Sequence, residues 1–105
     1  MIIQINTDHN ISENEKMDLY FKTLIADSLK NYSEHITRLE VHFSDQNGNK
    51  EGSKDKKCLL EARIEGRQPN VVTATASTIE EALNNAIDKM TALLKTAIEQ
   101  MKSHR

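Results

Sequence analysis

The chain predicts an α+β fold: a single β-α-β-β-β-α domain in which a four-stranded sheet carries two helices packed on one face. Three observations carry this prediction. Apolar and polar residues alternate with a period of two around residues 39–43 and 57–65. A β-branched run follows the reversal at 66–70, where Pro69 withholds a ladder donor. Two capping boxes, Ser12 with Glu15 and Thr78 with Glu81, each precede a stretch with helical apolar spacing.

Taken in order, Ile2-Ile3-Gln4-Ile5 is a β-branched first strand, ended by the turn formers Asp8-His9-Asn10. The first helix starts at the Ser12 box and is expected to reach about Tyr32. Met17, Phe21, Leu24, Ile25, Ser28 and Tyr32 lie on its inner face, with Lys16, Leu19, Thr23 and Lys30 opposite. Leu39, Val41 and Phe43 alternate with Arg38, Glu40 and His42 in the second strand, and Cys58, Leu60, Ala62 and Ile64 repeat the habit in the third. Between them, Ser44 to Lys57 reads as a long loop that offers nothing to a core, and a loop of that length is usually functional or disordered. Gly66 to Asn70 turns the chain into a fourth strand, Val71 to Ser77. The last helix then carries Ile79, Leu83, Ala86, Ile87, Met90, Leu94, Ala97 and Met101 on one face. The first crossover is expected to be right-handed.

With 105 residues, a single domain spanning 1–105 is expected, large enough to close a core without metal or disulfide staples. Only four residues are aromatic by count of Tyr and Phe, so that core must be aliphatic. Cys58 is the one cysteine, which rules out an intrachain disulfide and fits a reducing cytoplasm. No apolar run has signal-peptide or membrane-spanning length, so a cytoplasmic protein without a membrane partner is expected. A net charge of −2 supplies no global field for nucleic acid, so any RNA contact must rest on local clusters.

Catalytic chemistry has no visible basis. His9, His35, His42 and His104 are dispersed without ligand spacing, so no metal is expected. There is no Walker loop, no GxSxG and no GxGxxG, which leaves no cofactor and no small-molecule substrate to propose. Glu61 and Glu65 stand among Arg63 and Lys57 in a pattern of cross-strand ion pairs rather than of general acid–base catalysis. A binding protein, not an enzyme, is the expectation.

The element order, "LEVHFSDQN" at 39–47 and "KKCLLEARIEGRQPNVVTATASTIEEALNNAIDKM" at 56–90 together resemble the ribosome hibernation promoting factor family. That family includes the ribosome-associated inhibitors once called sigma-54 modulation proteins. The resemblance covers essentially the whole chain and implies a fold similar to that of double-stranded-RNA-binding domains. It implies a cofactor-free protein that docks on the small ribosomal subunit between head and body under stress or in stationary phase. There it would occlude the tRNA and mRNA sites, with lysine and arginine meeting ribosomal RNA phosphates. The candidate RNA-binding residues are Lys16, Lys22 and Lys30 from the first helix, Lys50 and Lys54 from the loop, and Lys89, Lys95, Lys102 and Arg105 from the last. The loop matches in position the one that double-stranded-RNA-binding folds insert into a groove. The last helix departs from the family's more basic pattern, since Met90 to Ala97 is mostly neutral. Because the chain stops at Arg105, a short form without the C-terminal dimerisation domain is expected, a monomer off the ribosome. The competing reading is a protein-interaction module that pairs through a sheet edge, or through the open face bearing Leu59, Val71, Thr73 and Thr75.

Overall fold

In the computed structural model, which describes residues 1–8, 15–45 and 55–103, four strands and two α-helices follow the predicted order. The strands are β1 (Ile2–Thr7), β2 (Ile36–Asp45), β3 (Lys56–Ile64) and β4 (Asn70–Ala76); the helices are α1 (Glu15–Ser28) and α2 (Ile79–Ser103). The sheet runs β1-β2-β3-β4, with β1 parallel to β2 and the other two pairs antiparallel. Ser12, half of the first capping box, lies outside the described residues. At the second box, the Glu81 amide donates to Thr78 Oγ1 at 3.1 Å, and the Ala82 amide to the Thr78 carbonyl at 3.0 Å.

The period of two sorts the sheet into two faces. Leu39, Val41, Phe43, Cys58, Leu60, Ala62, Ile64, Ala74 and Ala76 are buried on one face, with Ile3, Ile5 and Val72 beside them. Both helices cover that face. From α1 come Phe21 and Ile25, with the Phe21 ring 5.4 Å from that of Phe43. From α2 come Ala82, Leu83, Ala86, Ile87, Met90, Leu94 and Ile98. Each large aliphatic side chain buried here is worth about 1.5–3 kcal/mol, and this burial is the main force holding the layers together. The alanines of β4 and α2 leave little between the two backbones, and α2 lies close over β4 and β3.

Three details differ from expectation. The first helix stops at Ser28 rather than near Tyr32, and a single 3-10 turn at Lys30–Tyr32 follows. Leu29, fully buried, takes the core position assigned to Ser28, which is exposed. It stands four residues after Ile25, on the same face, and the amides of Tyr32, His35 and Ile36 then bond carbonyls three residues back, tightening the path into β2. Next, the β2–β3 register shifts between Ile36 and Arg38, which leaves Thr37 as an extra residue in a bulge. Ile36 and Leu39 therefore both face inward despite their odd spacing. Finally, the segment 44–57 is not all loop. Ser44 and Asp45 extend β2, Lys56 and Lys57 begin β3, and Asp45 and Asp55 are buried.

Gly66 turns β3 toward β4 with φ +77°, beside a hydrogen bond from the Arg67 amide to the Ile64 carbonyl at 3.1 Å. A Cβ there would touch nothing within 4 Å, so glycine is required by backbone conformation alone.

The phase of α2 is open to direct test. Leu83 is fully buried whereas Leu93 is 37% exposed. Leu83→Ala is expected to cost about 2–5 kcal/mol in urea unfolding and Leu93→Ala about 0.5 kcal/mol or less. Equal losses would show the helix to be rotated from this phase.

Candidate functional site

Two surfaces present charged side chains: the outer sides of the helices and the helix-free face of the sheet. Because β4 runs parallel to β2 and β1, the helices that follow β1 and β4 both run back in one direction. Their N-terminal halves are joined by the hydroxyl of Tyr20, which donates to Glu80 Oε1 at 2.7 Å. That bond, and the repulsion a phenolate would meet from Glu80, raise the Tyr20 pKa above its ordinary value. It also orients the helices, since Glu80 marks the flank of α2 that looks toward α1.

Lys95 and Lys102 are exposed and seven residues apart, so at about 100° per residue they form one row, on the flank nearer Glu80. Lys30 is exposed just beyond α1, toward the same end of the layer. Lys95 and Lys102 are thus the two candidates that share a row of one helix. Lys16 is exposed near the start of α1. Lys22 stands half a turn or so from Tyr20, on the far flank, and pairs with Asp18 at 3.1 Å. Lys89 faces the opposite flank of α2, where its Nζ donates to the Thr73 carbonyl at 2.8 Å. Lys50, Lys54 and Arg105 lie outside the described residues. The carboxylates of Glu81, Asp88 and Glu99 are also exposed on α2, so the row is a local cluster rather than a basic face.

On the helix-free face, Arg38 stands opposite Arg63 and Glu40 opposite Glu61 in the ladder. Glu40 Oε2 lies 3.3 Å from Arg38 Nε and 3.6 Å from an Arg63 nitrogen, and Glu61 meets Arg63 at 3.3 Å. His42 Nε2 is 3.6 Å from the other Glu40 oxygen. Of the expected cross-strand pairing, Glu40–Arg63 crosses between strands, whereas Arg38–Glu40 and Glu61–Arg63 each run along a single strand, so a glutamate still stands against each arginine. Such exposed pairs contribute little to stability, about 0–1 kcal/mol each.

At the mouth of the segment 46–54, Lys56 Nζ contacts Asp45 Oδ2 at 2.9 Å, directly across the ladder, and Asp55 Oδ1 at 3.7 Å. The hydrogen bond to Asp45 raises the Lys56 pKa against the opposing effect of desolvation. Asp8 joins the cluster by accepting the Asp45 amide at 3.2 Å. Neither this neck nor the Tyr20–Glu80 tie was visible in the sequence, because partners far apart in the chain leave no local signal. Burial pushes the Cys58 thiol up to about 12, so it serves as a core residue and not as a nucleophile. Among the described residues no group of His, Cys, Asp or Glu could hold a metal ion, and no helix is long and apolar enough to cross a membrane.

Compared with known proteins, residues 3–102 match the family model described as sigma 54 modulation protein / S30EA ribosomal protein. Among solved structures, the chain is similar to the N-terminal domain of Protein Y from Thermus thermophilus, with TM-score 0.71 and 14% identity over 91% of this chain and 98% of that one. It is equally similar in fold to a ribosomal subunit interface protein from Coxiella burnetii, with TM-score 0.71 and 12% identity over 94% and 99% of the two chains. No curated protein matches the sequence. At these identities the structural likeness establishes the fold, and the family model establishes the kinship.

The Tyr20–Glu80 tie has a defined pH signature. A raised folded pKa means that the folded state holds the phenolic proton more tightly, so the stabilisation is complete below the ordinary tyrosine pKa of about 10 and is lost as pH rises through the folded value. Tyr20→Phe is therefore expected to melt below the parent protein at pH 7–9, and the gap should close above about pH 10. A gap independent of pH would assign the difference to packing.

Proposed function

The chain belongs to the sigma 54 modulation protein / S30EA ribosomal protein family, and on that premise we propose that it is a non-enzymatic ribosome-associated factor that inhibits translation by occupancy. The family match across residues 3–102 carries this reading, and a fold shared with a ribosomal subunit interface protein supports it. The surface to be occupied is the small subunit, where a body of this size would stand in the path of tRNA and mRNA under stress or in stationary phase. No bond is made or broken and no cofactor enters. Off the ribosome the protein is a monomer in the cytoplasm.

Lys30, Lys95 and Lys102 form the centre of the proposed RNA contact, Lys95 and Lys102 as one exposed row of α2 and Lys30 as an exposed cation just beyond α1. Lys16 and Lys22 would extend it along α1, Lys89 would border it on the far flank of α2, and Lys50, Lys54 and Arg105 would add cations from segments outside the described residues. With a net charge of −2, affinity must rest on such placed cations rather than on a general field. The paired arginines of the sheet face offer less, because Glu40 and Glu61 already hold them.

Two measurements test the proposal. In sucrose gradients of cell lysate at moderate salt, the protein is expected to travel with small subunits or whole ribosomes, and to slow a cell-free translation system when added. A protein that stays at the top of the gradient at every salt and leaves translation untouched would sink the reading. Replacing Lys30, Lys95 and Lys102 together by glutamine is expected to weaken ribosome binding and to lower the slope of log K against log salt by about 0.7–0.9 for each phosphate no longer neutralised. The melting curve should barely move, since exposed lysines contribute little to stability. Unchanged binding by the folded triple variant would move the contact to the sheet around Arg38, Lys57 and Arg63, or to the loop.

A further inference from the structure

β4 closes the sheet at one side and, among the described residues, pairs only with β3. Alternate residues of such a strand turn their N–H and C=O groups outward, where no ladder partner meets them. Thr73 belongs to this outward set, because its carbonyl accepts the Lys89 ammonium at 2.8 Å from the neighbouring helix. Val71 and Thr75 share its orientation by the alternation of the strand. The strand itself, NVVTATA, carries no ionisable side chain. Charge and proline within the strand, two of the usual means of keeping an edge from pairing, are therefore missing, and Lys89 reaches the edge from outside it. Two exposed apolar side chains flank the edge, Val71 at 51% on the helix-free face and Leu93 at 37% on the α2 side.

We propose that the outer edge of β4 is a pairing surface for the same strand of a second copy of this chain, held closed by the hydrogen bond from Lys89 to Thr73. A second copy suits the edge because an antiparallel two-fold centred on Thr73 sets Thr73 against Thr73 and Val71 against Thr75. Every outward position then meets a β-branched partner, no like charges oppose each other within the strands, and about six ladder hydrogen bonds form. The contact is isologous and closes at two copies. The same operation brings the two Lys89 ammonium groups together beside the axis and asks each to give up its acceptor. Lys89 thus opposes pairing both by occupying the edge and by charge repulsion.

Sedimentation velocity of the full chain over a range of concentrations tests this, with Lys89→Ala, Lys89→Arg and the double variant Lys89→Ala/Thr75→Lys beside the parent. Lys89 is exposed, so its replacement should leave the circular dichroism spectrum unchanged. The parent and Lys89→Arg are expected to stay monomeric, Lys89→Ala to dimerise at least tenfold more tightly, and Thr75→Lys to return it to monomer. In the dimer the Thr73 and Thr75 amides should gain protection from hydrogen exchange. Lys89→Ala no more associated than the parent at any concentration would overturn the proposal. So would a dimer that survives Thr75→Lys, since its contact must lie elsewhere. The readout involves no ribosome, so this result and that of the gradient experiment stand or fall separately.

Discussion

The structure depends on covering one aliphatic face of a four-stranded sheet. Leu39, Val41 and Phe43 on β2, with Cys58, Leu60, Ala62 and Ile64 on β3, present an almost fully buried surface at the centre of the sheet. It exists only because helices remove it from water, and at roughly 25 cal/mol per Å² of apolar area that transfer is the main force against chain entropy. In a chain with few aromatics the fit must come from length and regularity. The helix α2 supplies both, repeating its stripe from Ala82 to Ile98 across β3 and β4. The small residues Ala74, Ala76, Ala82 and Ala86 allow the close approach that aliphatic packing needs to reach interior density.

Every exposed feature follows from that one-sided burial. The opposite face of the sheet has no cover, so it must satisfy water, and it does so with the alternating arginines and glutamates of β2 and β3. Among the described residues the β4 edge is met by a lysine from α2 rather than by a further strand. The outward sides of the helices are left to solvent and carry the exposed lysines and carboxylates. Their relative setting rests partly on the Tyr20–Glu80 bond, which spans 60 residues of sequence and ties the shorter helix to the longer. Phe21 against Phe43 anchors the inner side of the same turn of α1, so the helix is held from two directions.

Strand alternation and helical stripes made the fold class readable from the chain alone, because binary patterning reports which face of an element is buried. What it could not report was any change of phase. Ile36 escaped the alternation because the bulge at Thr37 resets the register, and a bulge has no pattern of its own in a Thr-Arg step. Leu29 escaped the stripe because Ser28 and Leu29 are adjacent, and only the tightening of the last turn decides which one enters the core. Asp45 and Lys56 were read as loop for a related reason. Charged residues on the inward parity of a strand look like its end, yet opposite charges directly across a ladder can continue it. Among the candidate lysines, sequence spacing put Lys95 and Lys102 on one row, but nothing in it foretold that Lys89 would turn to the strand edge.

The ion pair of Asp45 and Lys56 closes the end of the β2–β3 ladder. A buried carboxylate is unfavourable unless it is paired, and an ammonium directly across the ladder, with the Asp45 amide held by Asp8, meets that condition. Sliding β2 against β3 by one residue would take the Lys56 ammonium away from the buried Asp45 carboxylate, so the pair defends the register at this end of the sheet. Hydrophobic contacts specify the register over the middle of the strands, where Val41 faces Leu60 and Phe43 faces Cys58. Beyond Phe43 no apolar pair remains, and charge takes over the task.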